Sequence, residues 1–530
     1  MTTNTNNMNS INKAIDFISS YFANYQAKLC ADTRKLKAGD VFIAYNIDDE
    51  NPSNKVCNFS HIEQAISLGI SAIIADSSLE LDENYAKYQQ IPLTIPILTL
   101  PLLNTYMGDI VSHFNDYPSN KLPVVGITGT NGKTSISTWL AQCINALNQS
   151  NNASCVIGTL GTGFLDNLHN TGFTTPDAIN LHYQLNEYAV KAGAKTVCME
   201  VSSHGLKQSR VAGVKFHSAI FTNLTQDHLD YHGTLEDYID AKHLLFKKHN
   251  LAYAVINVDD EVGRKFIQTT KQNAGTASIC YTMHEQNICS DNYIYIKNYE
   301  FVSGKNNGYN LNLAIKFNQQ IIQDNLYISI LGEFNLYNLM AVIGGLLSLG
   351  YTWQDIKNVL PVIKSVAGRL EIVNNSKNGS NSSKLVLVDY AHTPDALEKT
   401  LTTLKPIAIQ RNGKLWCVFG CGGNRDRTKR PIMGSISQNN ADISIITSDN
   451  PRFEEPAEII KDILIGINTH SIINETVKII EDRYDAINYA IEHMQEQDVL
   501  LIAGKGHETY QDIKGVKHDF SDVLVAEGVL

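Results

Sequence analysis

The sequence predicts an α/β protein of three domains: a small N-terminal α/β domain over residues 1–105, a central domain with a mostly parallel sheet over 106–365, and a C-terminal Rossmann-like domain over 366–530. Three observations lead there. At 530 residues the chain exceeds what one hydrophobic core serves. Short apolar runs alternate with segments of helical spacing. Many of those runs end in Gly, Asp or Asn, where open α/β sheets place their ligand-binding loops.

In the first domain "DVFIAY" (40–45) and "SAIIADS" (71–77) read as strands on either side of the helix-like "SHIEQAISLG" (60–69). "IPLTIPILTLPLL" (91–103) is the longest apolar run, but its three prolines and two threonines make it a linker or edge segment that closes the domain. In the central domain "KLPVVGIT" (121–128), "KTVCMEVS" (195–202), "SAIFTNL" (218–224) and "AYAVINVD" (252–259) read as buried parallel strands. The C-terminal domain repeats the alternation with "KLVLVDY" (384–390), "LWCVFGCG" (415–422), "ISIITSDN" (443–450) and "DVLLIAGKG" (498–506). "SGKNNGYN" (303–310) and "NNSKNGSNSSK" (374–384) read as solvated loops, and no internal repeat is found.

A net charge of −11 excludes a general nucleic-acid binder, which needs a basic face, but leaves small anionic substrates open. Nine cysteines without a C-x-x-C pair fit a reducing cytosol, and Cys417 and Cys421 read as buried thiols. The polar start "MTTNTNNMNS" has neither the basic opening nor the apolar run of a signal peptide. No apolar run reaches the roughly 18 to 20 residues of a membrane span. A cytoplasmic protein is expected.

The chemistry begins at "VVGITGTNGKTS" (124–135), which departs from the usual phosphate loop by carrying Ile127 where the first glycine is expected. A strand nevertheless leads into Gly129-Thr130-Asn131-Gly132-Lys133-Thr134-Ser135, and a helical pattern follows. That order aims backbone N–H groups and a helix dipole at an anion. Lys133 would reach the outer phosphates of a nucleotide and the Thr134 hydroxyl a magnesium ion. Two further clusters flank the loop: "MEVSSHGLKQSRV" (199–211), with Glu200, Ser202, Ser203 and His204, and "FTNLTQDHLDYHGT" (221–234), with Asp227, His228, Asp230 and His232. A carboxylate and an imidazole at neighbouring strand ends can hold Mg²⁺ with waters. Lys242, taken alone, reads as a surface lysine on a helix. Arg452, in "SDNPRFEEP", reads alone either as a solvated arginine in a proline turn or as a carboxylate ligand.

Gly-Thr-Asn-Gly-Lys-Thr, both flanking clusters, "DYIDAKHLLF" (237–246), "LGEFNLYNLMAV", "AGRLE", "VDYAHTPDAL", "GCGGNRDRTKRP", "SDNPRFEEP" and "AGKGHETYQ" together resemble the Mur ligase family, the ATP-dependent amide-forming enzymes of peptidoglycan synthesis. The resemblance runs from about residue 30 to 530 and is nearest the members that add the third residue of the stem peptide. It implies a P-loop-type central domain that binds ATP, an N-terminal domain for the uridine nucleotide and a C-terminal domain for the amino acid. It implies ATP contacts from Gly129, Thr130, Asn131, Gly132, Lys133, Thr134, Ser135, Asn335, Arg369 and Asp389, with His392 in the same region. Thr134 and Glu200 would serve one Mg²⁺ between the ATP phosphates, and His228 with a CO₂-derived carbamate on Lys242 would hold a second, making Lys133, Lys242 and His228 catalytic.

Contacts to UDP-N-acetylmuramoyl-L-alanyl-D-glutamate are implied for Thr33, Thr174, Thr175, Ser203, Gln208 and Arg210, Thr33 standing where the family carries Ser. "NIDDENPSN" (46–54) departs from the family's less acidic loop. Arg425, Asp449, Asn450, Pro451, Arg452, Gly504 and Glu508 are implied to bind meso-diaminopimelate, which offers a distal carboxylate that L-lysine lacks. The enzyme is expected to act as a monomer. The rivals are the same reaction with L-lysine, another ligase of the superfamily such as a folylpolyglutamate synthase-like enzyme and, from a different class, a P-loop NTPase switch. A guanine-specific switch lacks its N-K-x-D motif here.

Overall fold

The computed structural model describes residues 2–21, 27–45, 59–77, 79, 95–225, 227–273, 275–302, 307–373 and 384–530. The acidic stretch 46–54 and residues 374–383 lie outside them. The chain divides into two compact units, one of Met1–Lys297, Leu313–Asp324 and Tyr337–Val362, the other of Asn298–Asn312, Asn325–Leu336 and Ile363–Leu530. No helix among the described residues is long and apolar enough to cross a membrane.

The first unit holds a four-stranded sheet in the order Leu29–Cys30, Val41–Ala44, Ala72–Asp76, Ile97–Leu100, all parallel. Ile97–Leu100 is its edge, which suits a segment bracketed by Pro96 and Pro101. The helix Leu103–Phe114 packs Leu103, Tyr106, Met107, Ile110 and Val111 on Val41, Ile43 and Ile74 of this sheet.

The 11-stranded sheet is built around Val124–Thr128, whose neighbours are Ser218–Phe221 on one side and Thr196–Glu200 on the other, both parallel. Tyr253–Asn257, Ala277–Thr282 and Asn292–Val302 extend the parallel run beyond Ser218–Phe221, and Ser154–Gly158 extends it beyond Thr196–Glu200. Register places Ile127 opposite Glu200 and Thr128 opposite Phe221. The loops after three adjacent strands therefore open at one sheet edge. Ser154–Gly158, Gly161–Phe164 and Asn167–His169 finish that side as antiparallel pairs, and Gly308–Phe317 and Gln320–Ile328 finish the other.

One expectation is corrected. Residues 303–306 of "SGKNNGYN" are outside the described residues, but Gly308, Tyr309 and Asn310 begin the strand Gly308–Phe317. Tyr309 is buried because its ring meets Tyr299 and Phe301, at 5.8 and 5.3 Å between centroids. An aromatic partner across the sheet outweighs the polar composition around it.

In the second unit the order is Glu371–Ile372, Leu385–Asp389, Val499–Ala503, Leu415–Phe419, Ile443–Ile446, Val477–Ile479, parallel throughout except at the first strand. These are the four strands read from the sequence with one added at each edge. Both faces are covered: Leu387, Cys417, Phe419 and Leu501 lie in one apolar cluster, Val386, Val388, Trp416, Val418 and Ile502 in another. Period-two alternation thus serves two cores. Asp389, Ala503 and Phe419 stand in register at the strand ends. An antiparallel hairpin, Tyr510–Ile513 with Val516–Asp519, follows.

Candidate active site

The phosphate loop is the turn between Val124–Thr128 and the helix Lys133–Leu147. Gly126 is a strand residue, not a loop residue: a Cβ there would lie 2.8 Å from the Phe216 ring. Ile127, where the usual pattern has its first glycine, is a buried residue of the same strand, so the glycines of the loop begin at Gly129. The loop itself needs Gly129 and Gly132, at φ 147° and 90°. Side chains there would meet Thr222 Oγ1 at 1.9 Å and Asn338 Oδ1 at 2.4 Å.

The neighbouring strand ends hold this loop from outside. Thr130 N donates to Asn223 O at 2.8 Å, Asn131 N to Asn223 Oδ1 at 3.0 Å, and Thr222 Oγ1 to Asn131 O at 2.6 Å. Thr130 Oγ1 also lies 3.1 Å from the Tyr238 hydroxyl. Asn223, Thr222 and Tyr238 were not picked out from the sequence, since nothing local marks a residue that braces a loop about a hundred positions away. Ser135 and Thr134 are buried in the first turn of the helix.

Lys133 Nζ donates to Gly129 O and Thr130 O, each at 2.8 Å, and Lys242 Nζ donates to the same Gly129 O at 2.9 Å. Two lysine heads thus converge on one carbonyl of the phosphate loop. The reading of Lys242 as a surface residue is overturned: it is 1% exposed, against the Tyr238 ring at 4.4 Å. Tyr238, Ala241, Lys242, Leu245 and Phe246 form the buried stripe of the helix Leu235–Lys247, so Lys242 sits at an apolar position of the pattern. Burial, reinforced by the Lys133 ammonium, holds its pKa well below the ordinary lysine range.

Glu200 is 1% exposed and accepts from Thr134 Oγ1 at 3.0 Å, Thr159 N at 3.0 Å and Thr159 Oγ1 at 3.1 Å. A hydroxyl and a carboxylate this close beside a phosphate loop fit Mg²⁺, which keeps waters and phosphate oxygens around one or two carboxylates. Among the described residues no three His, Cys, Asp or Glu side chains gather into a cation cage. His228 has φ 53°, sits 3.4 Å from the Asp227 carboxylate, and packs its ring on His204 at 4.9 Å. His204 stacks on Tyr231 at 4.1 Å, and His232 Nε2 is 2.9 Å from Ser203 Oγ. The Asp230 side chain is outside the described residues.

A continuous hydrogen-bonded path gathers most of the residues implied for the uridine nucleotide. Thr159 Oγ1 is 3.1 Å from Thr174 Oγ1, and Thr175 Oγ1 donates to Glu200 O at 3.0 Å. Arg210 donates to Thr175 O and to Gln208 Oε1, each at 2.8 Å, and Gln208 Nε2 to the Tyr231 hydroxyl at 3.0 Å. Thr33 is buried in the loop after Leu29–Cys30, outside that path.

In the second unit, Asp389 is buried at a strand end and accepts from Leu370 N at 2.7 Å and Ala391 N at 2.9 Å. Burial raises its pKa, opposed by the Arg369 charge. The Arg369 guanidinium lies 4.9 Å from the Tyr390 ring, which is tilted against His392 at 4.6 Å. Asn335 Nδ2 donates to Leu331 O at 2.7 Å in the first turn of its helix.

Asp449 and Asn450 follow Ile443–Ile446 and are buried with Pro451, while Arg452 adopts φ 51°. Arg452 N donates to Asp512 O at 2.9 Å, and Lys514 N to Arg452 O at 2.7 Å, so the hairpin grips this residue by its backbone. Its Nη1 donates to Gly423 O at 2.8 Å, and its Nε is 4.0 Å from Asp512 Oδ2. A Cβ on Gly422 would lie 2.9 Å from Arg452 Nη1 and 3.7 Å from Arg425 Cγ, which places both arginines beside one backbone. Asn450 Nδ2 donates to Glu508 Oε2 at 2.8 Å, and a Cβ on Gly504 would be 3.3 Å from Asp449 Oδ2. All seven residues implied for the amino acid therefore cluster at one end of the sheet. Sequence reading passed over Lys505, Gln511 and Asp512, which lie within this cluster.

Comparison with known proteins agrees with the geometry. The Mur ligase middle domain matches residues 127–346, and the Mur ligase, glutamate ligase domain matches 368–506. A UDP-N-acetylmuramoyl-L-alanyl-D-glutamate--2,6-diaminopimelate ligase of Ralstonia nicotianae is 42% identical over 512 residues, 95% of this chain and 94% of that protein. The chain belongs to the Mur ligase family. The Neisseria meningitidis serogroup A ligase of the same name is 40% identical over 504 residues, 95% of this chain and 94% of its own. A solved structure of such a ligase superposes with a TM-score of 0.64 at 34% identity, covering 95% of this chain and 94% of that one. A MurF ligase from Thermotoga maritima in complex with ADP shares the fold at a TM-score of 0.54 and 16% identity, over 91% and 94% of the two chains. As a Mur ligase this chain is an ATP-dependent, amide-bond-forming enzyme of peptidoglycan synthesis that works with Mg²⁺.

Proposed function

We propose that this enzyme adds meso-diaminopimelate to UDP-N-acetylmuramoyl-L-alanyl-D-glutamate, in cytoplasmic peptidoglycan precursor synthesis. The observation that carries the choice of amino acid is the cluster of Arg452, Arg425, Asn450, Asp449 and Glu508 at one sheet end. The names of relatives at about 40% identity over nearly the whole chain support it. Residues 1–105 are assigned to the uridine nucleotide, 106–365 to ATP and 366–530 to the amino acid.

The substrate's γ-carboxylate attacks the γ-phosphorus of ATP, and ADP leaves as the acyl phosphate forms. The amine of the amino acid then adds to the carbonyl carbon, loses a proton, and phosphate departs as the amide forms. The first step brings two anions together, so the cationic Lys133 lowers its barrier electrostatically. Mg²⁺, when bound through Thr134 and Glu200, neutralises phosphate charge. Lys242 is assigned as the carbamylated lysine. Its burial favours the neutral amine, the form that combines with CO₂, and a carbamate there would put an anion near the Lys133 ammonium, which bonds the same Gly129 carbonyl. His228 is assigned to the second metal. Thr174, Thr175, Ser203, Gln208, Arg210 and Thr33 are assigned to the uridine nucleotide, and Asn335, Arg369 and Asp389 to ATP.

The test compares phosphate release with meso-diaminopimelate and with L-lysine, each in the presence of the nucleotide dipeptide. A guanidinium can pair with the distal carboxylate in two parallel bonds, and L-lysine leaves that charge unmet. A site built for a polar group discriminates by about 10⁴ against an analogue that lacks it. The expected result is strong preference for meso-diaminopimelate, collapsing in Arg452→Ala with the KM for ATP little changed. Comparable kcat/KM values for the two amino acids would remove the assignment of meso-diaminopimelate. Phosphate release that needs no amino acid would favour an NTPase instead.

A further inference from the structure

The GKGHE segment (504–508) carries a buried lysine, Lys505. The Lys505 side chain is 0% exposed, and its ammonium lies 3.1 Å from Asn450 Oδ1, 3.2 Å from Glu508 Oε2 and 3.7 Å from Asp449 Oδ1. Asp449 Oδ1 is itself buried and has no hydrogen-bond partner among the described residues. Asn450 is fixed at both ends of its amide. Its oxygen accepts from Lys505 and from Asp512 N at 2.9 Å, while its nitrogen donates to Glu508. One buried cation therefore ties together the loop after Ile443–Ile446, the loop after Val499–Ala503 and the first strand of the hairpin.

We propose that Lys505 is a positioning residue for the incoming amino acid: it sets the orientation of Asn450 and Glu508, two of the side chains assigned to that substrate. The role rests on the ligase reading above. The geometry supports it: one buried ammonium stands among Asn450 Oδ1, Glu508 Oε2 and Asp449 Oδ1 and so holds these side chains in place.

Arg483 makes the contrast. It too is fully buried in this unit, but it pairs with Asp522 at 2.7 and 2.8 Å and donates to the carbonyls of Ser448 and Ala503. That pairing is closed on itself and braces the two loops by their backbones. The partners of Lys505 are instead the side chains assigned to the substrate.

The experiment is Lys505→Met, close in length and without charge, assayed by phosphate release with meso-diaminopimelate as the varied substrate and then with ATP varied. Loss of a buried charged partner predicts a rise of about tenfold or more in KM for the amino acid. The KM for ATP should stay within about twofold, since Lys505 bonds to none of the residues assigned to ATP; a purely structural lysine would shift neither KM selectively. If Lys505→Met does not fold, Lys505→Arg keeps the charge but cannot present it as a compact point among three oxygens, and the same selective rise is expected. A folded variant of either kind with unchanged KM for the amino acid overturns the proposal. Absence of amino-acid-dependent phosphate release from the unaltered enzyme would instead overturn the ligase reading beneath it.

Discussion

Lys133→Ala is expected to lower turnover about a hundred- to a thousandfold, the loss typical of one preorganised stabilising group, about 3 to 4 kcal/mol. Lys133 begins the helix Lys133–Leu147, and its ammonium is folded onto the Gly129 and Thr130 carbonyls of the loop it belongs to. A cation held at that point meets phosphate oxygens without reorganising the backbone. Its removal also leaves the loop with N–H donors but no formal charge against the approach of carboxylate to phosphate. The effect should appear in single-turnover phosphate release at saturating ATP, with the melting temperature little changed. Asn223 and Thr222 continue to brace the loop in the variant. A loss below about tenfold would assign the loop a structural part only.

Much of this site was legible because its residues sit at strand ends. "VVGIT", "TVCME" and "SAIF" announce themselves as parallel strands by unbroken apolar character, and all three are buried. Once such strands are adjacent, Glu200, Thr222 and the phosphate loop must open at the same edge. The order of the strands, and hence the bracing of Thr130 and Asn131 by Asn223, depends on pairing across about 90 residues and leaves no local mark. The edge strands from Gly308 onward were missed for the opposite reason. An Asn- and Gly-rich lead-in reads as loop until the aromatic contacts of Tyr309 are known. Lys505 was hidden in a motif read for its glycines and its glutamate.

Lys242 shows where a sequence signal existed and was outweighed. Tyr238, Ala241, Leu245 and Phe246 mark the inner face of its helix, and Lys242 lies within that stripe. A lysine there opposes the pattern, and such a local conflict points to function when the fold tolerates it. Its cost is a buried amine whose polar contact is the carbonyl of Gly129.

That cost makes the second large effect. Lys242→Met is expected to cripple turnover while raising the stability of the protein in CO₂-depleted buffer. Lys242→Ala should be equally inactive, and added bicarbonate should restore neither. Burial, then the Lys133 ammonium, depress the folded-state pKa of Lys242 well below the 10.5 of an ordinary lysine. Between those two values the unfolded chain binds a proton that the folded chain does not, so unfolding is favoured as pH falls. The penalty is absent above pH 10.5, grows through the window below it, and is complete at the folded pKa. The stability gap between Lys242→Met and the parent should therefore narrow as pH rises toward that upper limit. Bicarbonate should narrow it as well at fixed pH, because a carbamate forms on the folded protein's neutral amine and acts as a ligand of the native state. Thermal melts of parent and variant, with and without bicarbonate, read both trends. High activity in Lys242→Met, or a parent whose melting ignores bicarbonate across the whole pH range, would leave Lys242 as a buried amine without a carbamate.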